Sequence, residues 1–269
     1  MLISTNRQGI SYTIQGEGPP VILIHGIGAS RYDWAQLMPE MADAGYQVIA
    51  PDLPGHGDSH KPEDLGEYHI EAIYTRLFAW MESLEIDQPF MMVGHSLGGY
   101  LSLLHSARAP DQVRGLVLID PLYTPKQLAP VLQVLRQRPA IGIRAIKVVP
   151  EWLINAILGW DPSSARYFSP QVRQQIANDY KRASPHFLNI TRDIPDLSGI
   201  IPRISAPTQV IWGQHDLTLR PASFQSITRM LPNAVGKSIP HTGHQPHIGR
   251  PDVVNRVILE FSNSIHESN

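Results

Sequence analysis

The stretch Phe90-Met91-Met92-Val93-Gly94-His95-Ser96-Leu97-Gly98-Gly99 constrains the fold of this chain more than any other. Its first four residues are apolar and read as a short buried strand. Gly94, Ser96 and Gly98 follow at once as Gly-x-Ser-x-Gly. Beyond them Leu97, Leu101, Leu104 and Ala107 recur at helical spacing, which predicts a helix from Leu97 to Ala109. A strand that turns into a helix within so few residues must hold Ser96 in a strained backbone conformation. Two residues before and after it, a side chain would collide with the neighbouring strand or helix, so glycine suits positions 94 and 98. The Ser96 hydroxyl then stands above the sheet at a helix N-terminus. Free N–H groups and the helix dipole favour developing negative charge there. A Gly-rich helix start with a capping serine would also fit the bare pentapeptide, but it would need no partners elsewhere in the chain.

The rest of the chain alternates in the same way. Ile10 to Ile14 alternates apolar and polar, as a half-buried strand does. Val21–Ile24 is a fully apolar run that reads as a buried central strand; Gln47–Ala50, Val113–Ile119 and Thr208–Gly213 read as further strands of the sheet, with Ala234–Ile239 as a last strand. Helices are predicted over Trp34–Ala44, Ile70–Leu84, Ser223–Leu231 and from Pro251 to about Phe261. Strands alternating with helices imply right-handed crossovers and a mostly parallel sheet covered on both faces, with the loops at the strand C-termini converging on a site. The alternation fails from Leu122 to about Arg203. There Gln127–Arg136, Ile141–Val148, Trp152–Ile157 and Pro170–Ala183 read as helices without a strand. Residues 1–121 and 204–269 are therefore expected to form the core, and 122–203 a helical insertion.

Composition excludes several classes. Formal net charge is −2, so no electrostatic nucleic-acid partner is expected. No apolar run approaches the roughly 18 residues of a membrane span. The first seven residues lack the basic and apolar regions of a signal peptide, which makes the cytoplasm the default location. The chain contains no cysteine, which excludes disulfides, Cys-ligated zinc and a cysteine nucleophile.

Four motifs, in order, resemble the α/β-hydrolase superfamily across nearly the whole chain. His25-Gly26 resembles the family's oxyanion loop. Asp52-Leu53-Pro54-Gly55-His56-Gly57-Asp58-Ser59 resembles its Asp-x-x-Gly-x-Gly-x-Ser signature. Gly94-His95-Ser96-Leu97-Gly98-Gly99 resembles the nucleophile elbow. Gly213-Gln214-His215-Asp216 and Gly243-His244 resemble the acid and base loops. The resemblance implies an α/β-hydrolase fold with a helical cap at the insertion, and a serine esterase or lipase-like activity without cofactor or metal.

On that reading Ser96 is the nucleophile and needs an adjacent base, a role suited to histidine. Of twelve histidines, His244 alone follows the glycine as the family's base does, with His241 and His247 as polar neighbours. His25 and His56 are expected to shape loops, and His95 to point away from the site. Asp216 is the first choice of acid and Asp120 the second, while Asp52 and Asp58 fix a loop. The backbone N–H groups of Ile27 and Leu97 are expected to form the oxyanion hole. Leu128, Val131, Leu132, Leu135, Trp152, Leu153, Ile157, Leu158, Trp160, Tyr167 and Phe168 supply an apolar roof. Arg136, Arg138, Arg144 and Lys147 are expected to be solvated, with a membrane-surface role as the alternative. The expected partner is a small apolar ester, and the oligomeric state stays open. Ring-cleavage-product hydrolases share fold and triad but usually carry Asn before the nucleophile and Trp after the base, where His95 and Gln245 stand here. Ser96 argues against dehalogenases and epoxide hydrolases, which use Asp as nucleophile. A hormone-type receptor on the same fold is the alternative from another class.

Overall fold

The computed structural model describes residues 2–5, 9–160 and 168–267. Eight strands form one sheet: β1 (Leu2–Thr5), β2 (Ser11–Gln15), β3 (Pro20–Ile24), β4 (Gln47–Pro51), β5 (Phe90–His95), β6 (Val113–Ile119), β7 (Thr208–Gly213) and β8 (Ala234–Ile239). Their order is β1-β2-β4-β3-β5-β6-β7-β8. β1 and β2 pair antiparallel, as do β2 and β4, and every other pair is parallel. The central registers set Leu23 against Val93 and Val93 against Val117.

The mostly apolar composition of β3 to β7 is explained by burial on both faces. Ile22, Ile24, Met92, Leu116, Leu118 and Val210 point to one face. There they meet α2 (Ile70–Glu82), α3 (Leu97–Arg108) and, later in the chain, α8 (Ala222–Met230). The alternate residues Val21, Leu23, Met91, Val93, Val117 and Ile211 point to the other. They pack on α1 (Leu37–Asp43) and the closing helix α10 (Pro251–Glu267), through Leu37, Met41, Val254 and Ile258. Each such side chain contributes about 1.5–3 kcal/mol when fully buried. The two clusters make the sheet the rigid platform from which the site loops project.

Between β6 and β7 the described residues contain no strand of the main sheet. They hold α4 (Pro130–Gln137), α5 (Pro139–Val148), α6 (Glu151–Trp160) and α7 (Pro170–Arg182). A four-residue helix, α9 (Pro246–Gly249), follows the His244 loop. Two helix starts lie three residues later than the sequence expectation, both because of proline. The segment from Trp34 begins as a 3-10 turn over Arg31–Trp34, and α1 starts only at Leu37. This places Pro39 in the first turn, where its missing N–H is tolerated. Likewise α4 starts at Pro130, not Gln127. Gln127 instead folds back: its Oε1 accepts from Tyr123 N (2.6 Å) and Thr124 N (2.9 Å), and its Nε2 donates to Pro121 O (3.0 Å).

Helix α7 is bolted to the core. Ser30 Oγ donates to Asp179 Oδ2 (2.9 Å), and Gln175 Nε2 donates to Asp179 Oδ1 (3.0 Å). The Tyr180 ring lies over Gly28, and Arg182 pairs with Asp58. Burial, the largest cause, pushes the Asp179 carboxyl up to about 6 from 3.8, and Asp33 adds to the rise. The folded pKa thus exceeds the unfolded one, so this contribution to stability is full below about pH 4 and lost as pH rises through about 6. Its loss at pH 8 is on the order of 2–3 kcal/mol. Asp179→Asn is therefore expected to melt higher than wild type at pH 8, with the gap closing toward pH 4. Thermal melts across that range check this, and a gap that widened in acid would contradict it.

Candidate active site

Ser96 sits between β5 and α3 at φ +50°, ψ −109°, a conformation rarely open to a residue with a side chain. Backbone bonds hold it there. Ser96 N donates to Ile119 O (3.0 Å), while Ser96 O accepts from Tyr100 N and Leu122 N (3.1 Å each). Glycine is required on both sides by close approach. A Cβ on Gly94 would lie 2.5 Å from Gly98 O, and one on Gly98 would strike Ile24 O. Any substitution at either position must force β5, α3 or the end of β3 apart.

His244 lies in the loop after β8. Its Nδ1 donates to Asp216 Oδ2 (2.8 Å), and Asp216 itself is 2% exposed at the end of the β7 loop. Thr218 N and Leu219 N donate to Asp216 Oδ1 (2.7 and 3.0 Å), which fixes the carboxylate plane. With Nδ1 engaged, Nε2 of His244 is left to exchange a proton. Among the described residues Ser96 Oγ makes no hydrogen bond to His244; the two meet as neighbours on the wall of one cavity. Ile27 and Leu97 line the same cavity. Leu97 is the first residue of α3, where the N–H has no partner in its own helix. Asp120 ends β6 close behind Asp216, and its Oδ1 accepts from Gly213 N (2.9 Å).

The cavity measures about 450 Å³ and is mainly apolar. Leu132 and Leu135 of α4, Ile146 of α5, and Ile176 and Tyr180 of α7 line it together with Ser96. Leu128 and Phe168 join them, but Val131 (66% exposed) and Trp152 (69%) face outward instead of roofing the serine. Leu153 is half-buried outside the cavity wall. Tyr167 and the side chains of Ile157, Leu158 and Trp160 lie outside the described residues. Arg138, Arg144 and Lys147 are exposed, whereas Arg136 is half-buried on the cavity wall and donates from Nη1 to Arg192 O (2.6 Å).

The other histidines divide between support and surface. His25 accepts from Leu53 N at Nε2 (2.9 Å) and donates from Nδ1 to Gly26 O (2.7 Å), so it ties two loops together as a neutral ring. His56 Nδ1 donates to Pro54 O (3.0 Å), and burial lowers its pKa to about 3. His241 is exposed. His95 departs from expectation: it does not point away but lies 4.9 Å, ring to ring, from His244 and donates from Nε2 to His244 O (2.7 Å). The residue before the serine thus props up the loop of the candidate base. Its ring also packs on His247 (4.6 Å), which in turn lies over Trp34 (4.8 Å).

Arg31 escaped the sequence reading. It is 3% exposed, donates from its N–H to Asp52 Oδ1 (2.7 Å), pairs with the Asp52 carboxylate, and reaches Asp58 Oδ2 (2.9 Å). Those aspartates therefore fix not a loop alone but the turn that follows Ile27. Two groups are near enough to converge on one small cation: Asp33, His95 and His247, and Asp120, Asp216 and His244. In the second, His244 and Asp216 already bond each other directly. No helix among the described residues is long and apolar enough to cross a membrane.

A mostly parallel sheet carrying a strained serine at a strand-to-helix turn, beside a cavity shared with a histidine, defines the α/β-hydrolase class. The chain belongs to that family: a family model for the alpha/beta hydrolase fold matches residues 19–251. It is 26% identical over 274 residues to the AB hydrolase superfamily protein YfhM of Bacillus subtilis, covering 95% of this chain and 96% of that one. It is 25% identical over 249 residues to Lipase 1 of Psychrobacter immobilis, covering 86% of this chain and 73% of that one. Among solved structures, a thermophilic esterase from Thermogutta terrifontis superimposes with a TM-score of 0.83 at 26% identity, covering 96% of this chain and 94% of that one.

Proposed function

We propose that this chain is a serine hydrolase that cleaves carboxylic esters with apolar acyl or alcohol groups through an acyl-enzyme on Ser96. One observation carries the reading: the strained serine shares an apolar cavity with a histidine whose other nitrogen is held by a buried aspartate. In this account Ser96 Oγ attacks the ester carbonyl while His244 Nε2 takes its proton. Asp216 stabilises the imidazolium. The oxyanion accepts hydrogen bonds from Ile27 N–H and Leu97 N–H. His244 returns the proton to the departing alcohol, then activates the water that releases the acid. The serine–histidine hydrogen bond forms when substrate is seated, as such bonds often tighten only in the complex. Residues 122–203 act as a helical cap on a core of residues 1–121 and 204–269. Leu132, Leu135, Ile146 and Ile176 then exclude water and accept the apolar part of the substrate. No cofactor enters this scheme.

The test is a panel of esters of graded acyl length, run beside a vinylogous diketone. Sustained ester turnover, rising with acyl length until the cavity is filled, is the expected result. Cleavage of the diketone without ester turnover would point to a carbon–carbon bond hydrolase. Saturable binding with no turnover of any compound would point to a receptor.

A further inference from the structure

A second carboxylic acid stands behind the Asp216–His244 pair, and the reaction above gives it no role. Asp120 ends β6 fully buried, with its backbone at φ +40°. A carboxyl oxygen of Asp120, one of Asp216 and a ring nitrogen of His244 all lie within 4.8 Å of one another. The titratable groups facing Asp120 are therefore Asp216 and, beyond it, His244.

The donors around the two carboxyls locate a proton. Asp216 Oδ1 accepts from two backbone N–H groups, and its Oδ2 accepts from His244 Nδ1. Asp120 Oδ1 accepts from Gly213 N. Asp120 Oδ2 is buried and meets no donor. Two ionised carboxylates here would suffer like-charge repulsion, and one would keep a bare oxygen out of water. A single shared proton removes both penalties, as in other buried carboxyl pairs. Asp216, with three donors, holds its charge better than Asp120, with one.

We propose that Asp120 is a neutral carboxylic acid whose Oδ2–H donates to Asp216, so that the acid of the site is a carboxyl pair with Asp120 as its positioning residue. Burial, with the Asp216 charge added, pushes the Asp120 carboxyl well above the usual carboxylate range, in agreement with the donor pattern. The donated hydrogen bond keeps Asp216 ionised and turned toward the imidazole. The consequence for turnover rests on the proposed triad; the location of the proton does not.

Infrared spectroscopy at pH 8 tests the proton directly. Asp179, pushed up to about 6, is ionised at that pH. Wild type is expected to show the carbonyl stretch of a protonated carboxyl, shifted in D2O and missing in Asp120→Asn. Asparagine tolerates a positive φ, so that variant is compatible with the fold. No such band in wild type, or a band that survives Asp120→Asn, overturns the proposal.

Kinetics add a second arm. Asp120→Asn keeps an N–H donor and should lower kcat/KM only a few-fold. Asp120→Leu, similar in size but without a donor, should lower it roughly 10-fold or more. Equal losses in both variants would reduce Asp120 to a packing residue and overturn the positioning role. Should wild type hydrolyse no ester, the infrared arm still decides the proton, so the two failures are separable.

Discussion

Ser96→Ala is expected to lower ester turnover on the order of 10⁴-fold or more while leaving the fold intact. The size follows from the role proposed for the hydroxyl: without it no acyl-enzyme would form, and only the proposed oxyanion donors and binding would remain to assist water. The fold should survive because Ser96 is held by backbone bonds to Ile119, Tyr100 and Leu122, none of which uses its side chain. Removing one oxygen from a cavity wall also costs no core packing. Steady-state assays on short-chain esters, with circular dichroism as the control for folding, measure both parts. Retention of most of the activity by pure Ser96→Ala would remove the proposed mechanism.

Asp216→Asn is expected to cost roughly 10²–10⁴-fold in turnover, because it removes the charge that stabilises the imidazolium and favours the wrong tautomer. The geometry gives this residue, not Asp120, the hydrogen bond to His244 Nδ1. Asp120 Oδ1 is engaged by Gly213 N, whereas the Gly213–Asp216 loop turns the Asp216 carboxylate to the base. Asp120→Asn should therefore be much the milder of the two. Comparing kcat for both variants under saturating ester gives the ranking, and the reverse order would exchange their roles.

Much of the fold was legible because parallel strands buried on both faces leave an unmistakable trace. Val21–Ile24 and Phe90–Val93 are apolar runs with no room for a helix, and each lies in a strand of the sheet. The Ser96 turn was equally readable, since the glycines that permit it stand two residues to either side. Strand β1 was not read, for Leu2–Thr5 is short and carries no alternation of its own. Helix starts at Leu37 and Pro130 were misplaced because periodicity was followed through a proline that decides where a helix can begin.

The candidate site was less legible where partners are far apart in sequence. Arg31 looks like a surface residue in a loop until Asp52 and Asp58 are brought to it. A buried cation needs paired charges, but the two aspartates alone could not name their partner. His95 is expected to point away because Ser96 takes the tip of the turn, yet its ring bends back to His244 O. The insertion was hardest, because its helices offer apolar residues both to the cavity and to solvent. Leu132 and Val131 are neighbours in sequence, and only Leu132 reaches the cavity.

The central claim is a covalent intermediate on Ser96. The most direct measurement is the mass of the protein after reaction with an organophosphate that mimics the tetrahedral state, followed by mapping of the modified peptide. The account predicts one adduct per chain, carried on Ser96 and absent from Ser96→Ala. Ester turnover by a protein that takes no adduct, or takes it at another residue, would contradict it.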